Sequence, residues 1–167
     1  MMDEASRKKV LRMVPYGLYL VGVRRREVKD VAKDLNVFVG SWLTQVSFKP
    51  PMLVAGFRRD AHSLEMVKES GVFTVNVLGS DQKDLAARFF KDVPVTDKEM
   101  AGVPYVRGAH TGAPVLPDTP AHVECEVVHV YEGENDHAVV VAKVVAWEHR
   151  REAKPLTHAE TGWHYAG

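Results

Sequence analysis

The chain has a single cysteine, Cys125, among its 167 residues, so no disulfide can close within it and its stability has to come from a packed core. It also lacks a charge imbalance, with 22 lysines and arginines against 22 aspartates and glutamates, which argues against a nucleic acid or an anionic membrane as partner. No apolar run reaches the roughly 20 residues of a membrane-spanning helix. The opening MMDEASRKKVLRMVPYG has no apolar centre of the secretory kind, which leaves the cytoplasm as the expected compartment. GxGxxG and GxSxG are both absent, so neither a Rossmann dehydrogenase nor an α/β-hydrolase is supported. The eight histidines show no HxxxH or HExxH spacing and have no cysteine partners, and no metal is expected. Neither internal repeats nor low-complexity segments occur. The length suits one domain over residues 1–167, burying roughly two-thirds of the surface of its unfolded chain.

What is present centres on NVFVGSWLTQVSFKPP, Asn36 to Pro51. Asn36, Ser41, Trp42, Thr44, Gln45 and Ser47 are interleaved with Val37, Phe38, Val39, Leu43, Val46 and Phe48. That mixture suits a strand whose end lines a pocket for a flat heteroaromatic ligand, with apolar walls and a few hydroxyls and amides to orient it. A half-buried strand with a polar turn has the same composition.

Around this stretch the pattern is largely β. Residues 3–13 read as a short helix with Val10, Leu11 and Met13 as its apolar positions, ended by Pro15. GLYLVGV, residues 17–23, reads as a buried strand, and Arg24-Arg25-Arg26-Glu27 as a solvated turn, with phosphate binding as the alternative. Pro50-Pro51 forces an extended entry into a strand from Met52 to Phe57. Asp60, His62 or Ser63 can cap a helix that stops at Gly71. The free amides of such a helix start, beside Arg58 and the Ser63 hydroxyl, can seat a phosphate. Ser63 as a mere cap and Arg58 as a solvated side chain is the other reading of the same residues.

VFTVNVL, residues 72–78, is a strand with Thr74 and Asn76 on one face, and Asn76 reads as a structural hydrogen-bonding residue. Ser80 or Asp81 can cap a helix that carries Leu85, Ala86 and Phe89. The glycines and prolines of residues 92–119 predict an irregular excursion. Residues 121–131 alternate, which puts His122, Glu124 and Glu126 on a wet face and makes Cys125 a small core residue. HAVVVAKVVAW, from His137, is apolar enough to predict a strand buried on both faces, with a partner subunit covering one of them.

SWLTQVSFKPP, MLVAGFR, HSLEMVKESGVFTVNVL, LAARFF, the strand around Glu124 and Cys125, and Asp136-His137 at a strand start follow one another in an order that resembles the flavin reductase-like family. The resemblance runs from Val14 to Tyr165. It implies a mainly β fold with peripheral helices, the FMN-binding split β-barrel, and FMN as cofactor. Asn36, Ser41, Trp42, Leu43, Thr44, Arg58, His62 and Ser63 then become the candidate flavin-binding residues. Phe90 and Lys91 fall where the family brings a residue toward the flavin, and Trp163 or Tyr165 where a closing segment brings an aromatic ring.

His137 matches the family's histidine on the nicotinamide side. The resemblance implies an oxidoreductase that takes a hydride from NADH or NADPH and passes electrons to free flavin, an acceptor protein or a monooxygenase component, as a homodimer. A flavoredoxin-type electron carrier without nicotinamide activity, and a flavin-storing or structural barrel, share that fold. Ala142 stands where the family often has glycine, and its methyl group narrows the room for substrate.

Overall fold

The computed structural model describes residues 3–165; Met1, Met2, Ala166 and Gly167, the last two belonging to the closing segment discussed above, lie outside the described residues. In chain order the elements are α1 (Glu4–Arg12), β1 (Tyr19–Arg24), α2 (Val31–Asp34), β2 (Leu35–Gly40), β3 (Leu43–Phe48), β4 (Pro51–Arg58), α3 (His62–Ser70), β5 (Val72–Val77) and α4 (Lys83–Ala87). They continue with the two-residue strands β6 (Glu99–Met100), β7 (Val103–Pro104), β8 (Val106–Arg107) and β9 (Pro114–Val115), then β10 (Ala121–Tyr131), β11 (His137–His149) and α5 (His158–Thr161). The fold is thus mostly β with few helices, as its alternating and β-branched segments dictate.

Seven strands form one antiparallel sheet in the order β2-β1-β5-β10-β11-β4-β3. The stretch that reads as one strand from Asn36 is therefore two, and they lie on opposite edges of the sheet. Only Ser41 and Trp42 separate them. Three peptide steps span at most about 10 Å, so the two edges must meet at this corner and the sheet must curl. Its concave side encloses Val21, Val23, Phe57, Phe73, Val75, Cys125, Val140 and Ala142, with Phe57 packed edge-on against both Phe38 and Phe73. A second cluster lies on the other face of β1 and β2, where Leu18, Leu20, Leu35 and Val37 meet Leu78, Phe89, Met100, Leu116 and Leu156. β1 is buried on both faces for that reason.

The excursion over residues 92–119 covers one face of the sheet and changes the reading of β10. His122 and Glu124 are buried rather than wet: the loop before β10 folds back onto Glu124, and Arg150 reaches the His122 ring at 2.6 Å. Glu124 accepts from the amides of His110 and Thr111 and from the Thr111 hydroxyl, at 3.1, 2.8 and 2.7 Å. Asn76 ties the same loop to β1, donating to the Leu20 carbonyl and accepting from the Leu116 amide, both at 2.9 Å. Gly22 is glycine because the Pro114 carbonyl and the Thr74 hydroxyl occupy the space a Cβ would need.

Other expectations shift as well. None of α1 is buried: Val10, Leu11 and Met13 are exposed, so the helix does not pack into the core. α3 opens at Ala61 without a side-chain cap, and α4 at Gln82 rather than Ser80 or Asp81. Arg24 and Arg25 are half-buried, Arg24 donating to carbonyls of Thr111, Arg25 and Arg26, so the basic turn is tied down rather than free in solvent. β11 buries one face only, through Ala138, Val140, Ala142 and Val144; Val139, Val141 and Val145 are half-covered and Trp147 is 70% exposed.

The Glu124 carboxyl generates a test. Burial alone would raise it, but the Thr111 hydroxyl and the Thr111 and His110 amides outweigh that and hold it below the usual range. A depressed folded-state value stabilises the fold fully above the unfolded value, near pH 4.5, and the contribution is lost as pH falls through the folded one. Glu124→Gln should therefore lower stability by about 1.5–3 kcal/mol at pH 7, since hydrogen bonds to a charged group are lost. Denaturant titrations at pH 7 and pH 3 should show the gap between wild type and variant narrowing at the lower pH; a gap of the same size at both would contradict this account.

Candidate functional site

The corner between the sheet edges is where the polar and aromatic groups collect. Trp42 is pinned to β4 through its carbonyl, which accepts from the Gly56 amide at 2.8 Å. A Cβ at position 56 would lie 3.4 Å from the Trp42 ring, so the indole rests directly on the strand backbone. Gly56 pairs with Val139 and Arg58 with His137, which places His137 on the same face of the sheet. The His137 ring centroid is 4.6 Å from that of Trp42, and Tyr165 stands edge-on to Trp42 at 5.0 Å. His137 uses both nitrogens: Nδ1 is 2.8 Å from Asp136 Oδ1 and Nε2 is 2.8 Å from the Tyr165 hydroxyl. The bond from His137 holds the Asp136 carboxyl below its ordinary range. Tyr165 is fixed in turn by its amide, which donates to the Tyr16 hydroxyl at 2.8 Å, and Tyr16 stacks on His158 at 4.0 Å.

Three recesses surround this cluster, and a fourth lies away from it. An apolar one of about 790 Å³ is lined by Leu11, Val14, Tyr16, Trp42, Leu43, Thr44, Val54 and Val139 and ends on Asp136 and His137. A polar one of about 810 Å³ lies beyond the same Trp42 and His137, among Arg58, Arg59, Asp60, Glu132 and Glu134. A small one of about 250 Å³ holds Tyr16, Phe38, Ser41, Phe90, Trp163 and Tyr165. The last, of about 560 Å³, lies at the far end of β2 between Arg25, Lys33, Asn36 and His62.

The candidates from the sequence separate among these spaces. Trp42, Leu43 and Thr44 share the apolar recess with His137, while Ser41, Phe90 and Trp163 share the small one, where Trp163 meets Phe90 edge-on at 4.7 Å. Asn36 and His62 line the recess at the end of β2. Arg58 does not join Ser63. It turns back onto Asp60, with Nε and Nη2 at 2.9 and 2.5 Å from the two carboxylate oxygens, and lies in the polar recess near His137. The pairing lifts Arg58 above and Asp60 below their ordinary values. Lys91 is exposed and lines none of the four recesses.

Beside His62 stands Arg25, which donates to His62 Nε2 at 3.0 Å and to Glu69 at 2.8 Å. The sequence signal for it was the basic turn whose alternative reading was phosphate binding. Ser63 is 7% exposed, and among the described residues its hydroxyl makes no hydrogen bond; the His62 and Ser63 amides are free as at any helix start, while that of Leu64 donates to the Ala61 carbonyl at 3.1 Å. Tyr16 and Gly56 carried no signal beyond their types. The Cys125 thiol, buried and pushed up to about 12, takes no part in the site. Among the described residues no group of three or more histidine, cysteine, aspartate or glutamate side chains could hold a metal ion, and no helix is long and apolar enough to cross a membrane.

The residues fit a flavin on two counts that the geometry itself supplies. Aromatic and aliphatic walls with a few hydroxyl and imidazole groups meet at the corner, and the uncapped start of α3 lies at the other end of the same strand, its recess lined by Arg25, Lys33 and His62 together with Asp34 and Asp92. From Asn36 to Ser41 is about 16 Å at strand rise, a span suited to a ring carried on a phosphorylated tail.

Comparison with known proteins gives the same direction. Residues 11–167 match the family model described as flavin reductase like domain. A probable flavin reductase of Rhizobium meliloti (strain 1021) is 30% identical over 133 residues, covering 80% of this chain and 41% of that protein. The reductase subunit HsaB of a flavin-dependent monooxygenase from Rhodococcus jostii (strain RHA1) is 32% identical over 111 residues, 66% of this chain and 54% of that one. The chain thus spans about half the length of these curated relatives. Among solved structures, a Streptomyces globisporus NADH:FAD oxidoreductase in complex with NAD and FAD fragments superposes with a TM-score of 0.78 at 24% identity, over 96% of this chain and 93% of the other, which shows a shared fold.

Proposed function

The chain belongs to the flavin reductase like family, and on that premise we propose that it binds FMN at the Trp42 corner and reduces it with NADH or NADPH for delivery to free flavin or to an acceptor such as a monooxygenase component. The curled sheet joined at one corner is, in this reading, the split β-barrel that the sequence suggests. The observation that carries the proposal is β2 itself, which runs from the Asn36 recess at the start of α3 to the aromatic corner at Ser41 and Trp42. A nicotinamide donor is compatible with work in the cytoplasm.

Bound flavin supplies the hydride acceptor and electron carrier; the chain binds, orients and shields it. Trp42, Leu43, Thr44 and Ser41 are the residues that would hold the ring, with Phe90 and Trp163 behind Ser41. For the phosphate we take the amides and Ser63 hydroxyl at the start of α3, with His62, Asn36 and Arg25 at the rim; Arg25 replaces Arg58, which Asp60 engages elsewhere. His137, held by Asp136, faces the side from which a nicotinamide ring would arrive. Relatives named for FAD make FAD the flavin to test against FMN.

Purified protein mixed anaerobically with FMN and NADH or NADPH should bleach many equivalents of flavin. Flavin binding without nicotinamide oxidation would assign the electron-carrier reading, and neither binding nor oxidation would end the flavin account. By fluorescence quenching, wild type should prefer FMN to riboflavin. Arg25→Met and Ser63→Ala should each weaken FMN by roughly tenfold to a hundredfold with riboflavin nearly unchanged, as expected for a lost bond to a charged group. Arg58→Met should leave both flavins nearly unaffected; a phosphate-selective loss there would return the site to Arg58.

The open face of β11 supports a homodimer in the same proposal. Val139 and Val141 stand on it, opposite Gly56 and Val54 of β4, while past the bulge at Val145 the 70% exposed Trp147 turns to the Val123 and Val144 side and adds apolar surface at the end of the sheet. Sedimentation at micromolar concentration should show a dimer that Val141→Glu weakens; wild type sedimenting only as monomer would rule it out.

A further inference from the structure

Both ring nitrogens of His137 are committed within the chain. An ionised carboxylate only accepts, so the neutral imidazole carries its proton on Nδ1 toward Asp136 and offers the Nε2 lone pair to the Tyr165 hydroxyl, 2.8 Å away. One lone pair cannot serve two donors. A nicotinamide ring that meets His137 through its carboxamide N–H needs that lone pair, and Tyr165 already holds it.

We propose that Tyr165 is a latch on the end of the segment anchored by Trp163, with its hydroxyl as the group that a nicotinamide carboxamide displaces from His137. This rests on the reading of His137 as the residue that faces the nicotinamide donor. The attachment is built to be released. Gly162 turns the chain out of α5 in the left-handed conformation, and Trp163 anchors it, packed against the second core cluster with Phe90 edge-on at 4.7 Å and Lys83 Nζ 5.1 Å over its ring. Beyond Trp163, among the described residues, two hydrogen bonds hold Tyr165, its amide to the Tyr16 hydroxyl and its hydroxyl to His137. The Tyr165 ring packs edge-on against Trp42 and is nearly half exposed.

It also lines both the small recess and the polar recess, so its departure opens one space into the other beside Trp42 and His137. The exchange is chemically even: a phenol O–H leaves Nε2 and an amide N–H takes its place, with Asp136 still holding Nδ1. A site closed in most molecules binds with an affinity reduced by the open fraction, so the latch sets the apparent affinity for the donor without touching the flavin phosphate.

Tyr165→Phe keeps the ring against Trp42 and removes only the hydroxyl. With FMN bound, the KM for NADH or NADPH should fall roughly two- to tenfold, the range set by one neutral hydrogen bond, and kcat should change by less than KM does. In a His137→Ala background the same substitution should leave KM where it is, because the hydroxyl then has nothing to release. An unchanged or raised KM in Tyr165→Phe, or an equal drop in the His137→Ala background, would overturn the latch.

Nitrogen-15 spectra of the His137 ring give a readout apart from turnover. Nε2 should shift in Tyr165→Phe, and in wild type on adding NAD⁺ as probe; if NAD⁺ binds and leaves Nε2 unmoved, the proposal fails. If wild type oxidises neither NADH nor NADPH, the function reading has failed instead, and the latch stands or falls on whether NAD⁺ shifts Nε2.

Discussion

The two-residue link between β2 and β3 is the constraint on which the rest of the molecule depends. Those strands are the outermost of a seven-stranded sheet, and Ser41 and Trp42 are all that joins them. A flat sheet cannot satisfy that connection, so the sheet curls, the concave side becomes a core around Phe57 and Phe73, and the corner becomes a place where two edges present side chains without a ladder between them. Trp42 sits at that corner because the chain has no room to go elsewhere. Its indole lies on the bare backbone of Gly56, and the register of β4 with β11 brings His137 beside it. The site is a consequence of closing the sheet.

The other face of the sheet is closed by different means. The excursion before β10 packs Met100, Val103, Tyr105, Val115 and Leu116 into the second cluster and is held as well by buried polar anchors: Glu124 receives three hydrogen bonds from residues 110 and 111, and Asn76 bridges β1 to the residue after β9. Buried polar groups of this kind are costly unless satisfied, and both are satisfied. With that side covered by the chain's own loop, the open apolar surface is left on β11 and β3, the side that also carries His137 and the apolar recess.

Much of this was legible in the sequence where the physics is local. Pro50-Pro51 marked the start of β4, Gly71 ended α3 in the left-handed conformation, and Thr74 and Asn76 shared a buried face as their spacing required. Where the deciding partner is distant, the pattern misled. The alternation through β10 put Glu124 in water, since nothing in residues 121–131 reveals that residues 110 and 111 fold back onto it. The continuous run of β11 reads as buried twice over, but within one chain it has a single covered face. Asn36 to Pro51 reads as one strand because the break at Ser41-Trp42 follows one glycine and contains no proline. Arg58 was paired with Ser63 by their proximity to a helix start, when a closer partner, Asp60, stood two residues away.

The central claim is that β2 spans the flavin, with the ring at the Trp42 corner and the phosphate at the start of α3. A crystal structure of the protein with FMN tests it most directly. The account predicts the ring against Trp42 and Ser41 and the phosphate on the amides of His62 and Ser63 beside Arg25. A phosphate held by Arg58 in the polar recess, or a ring lying away from Trp42, would contradict it.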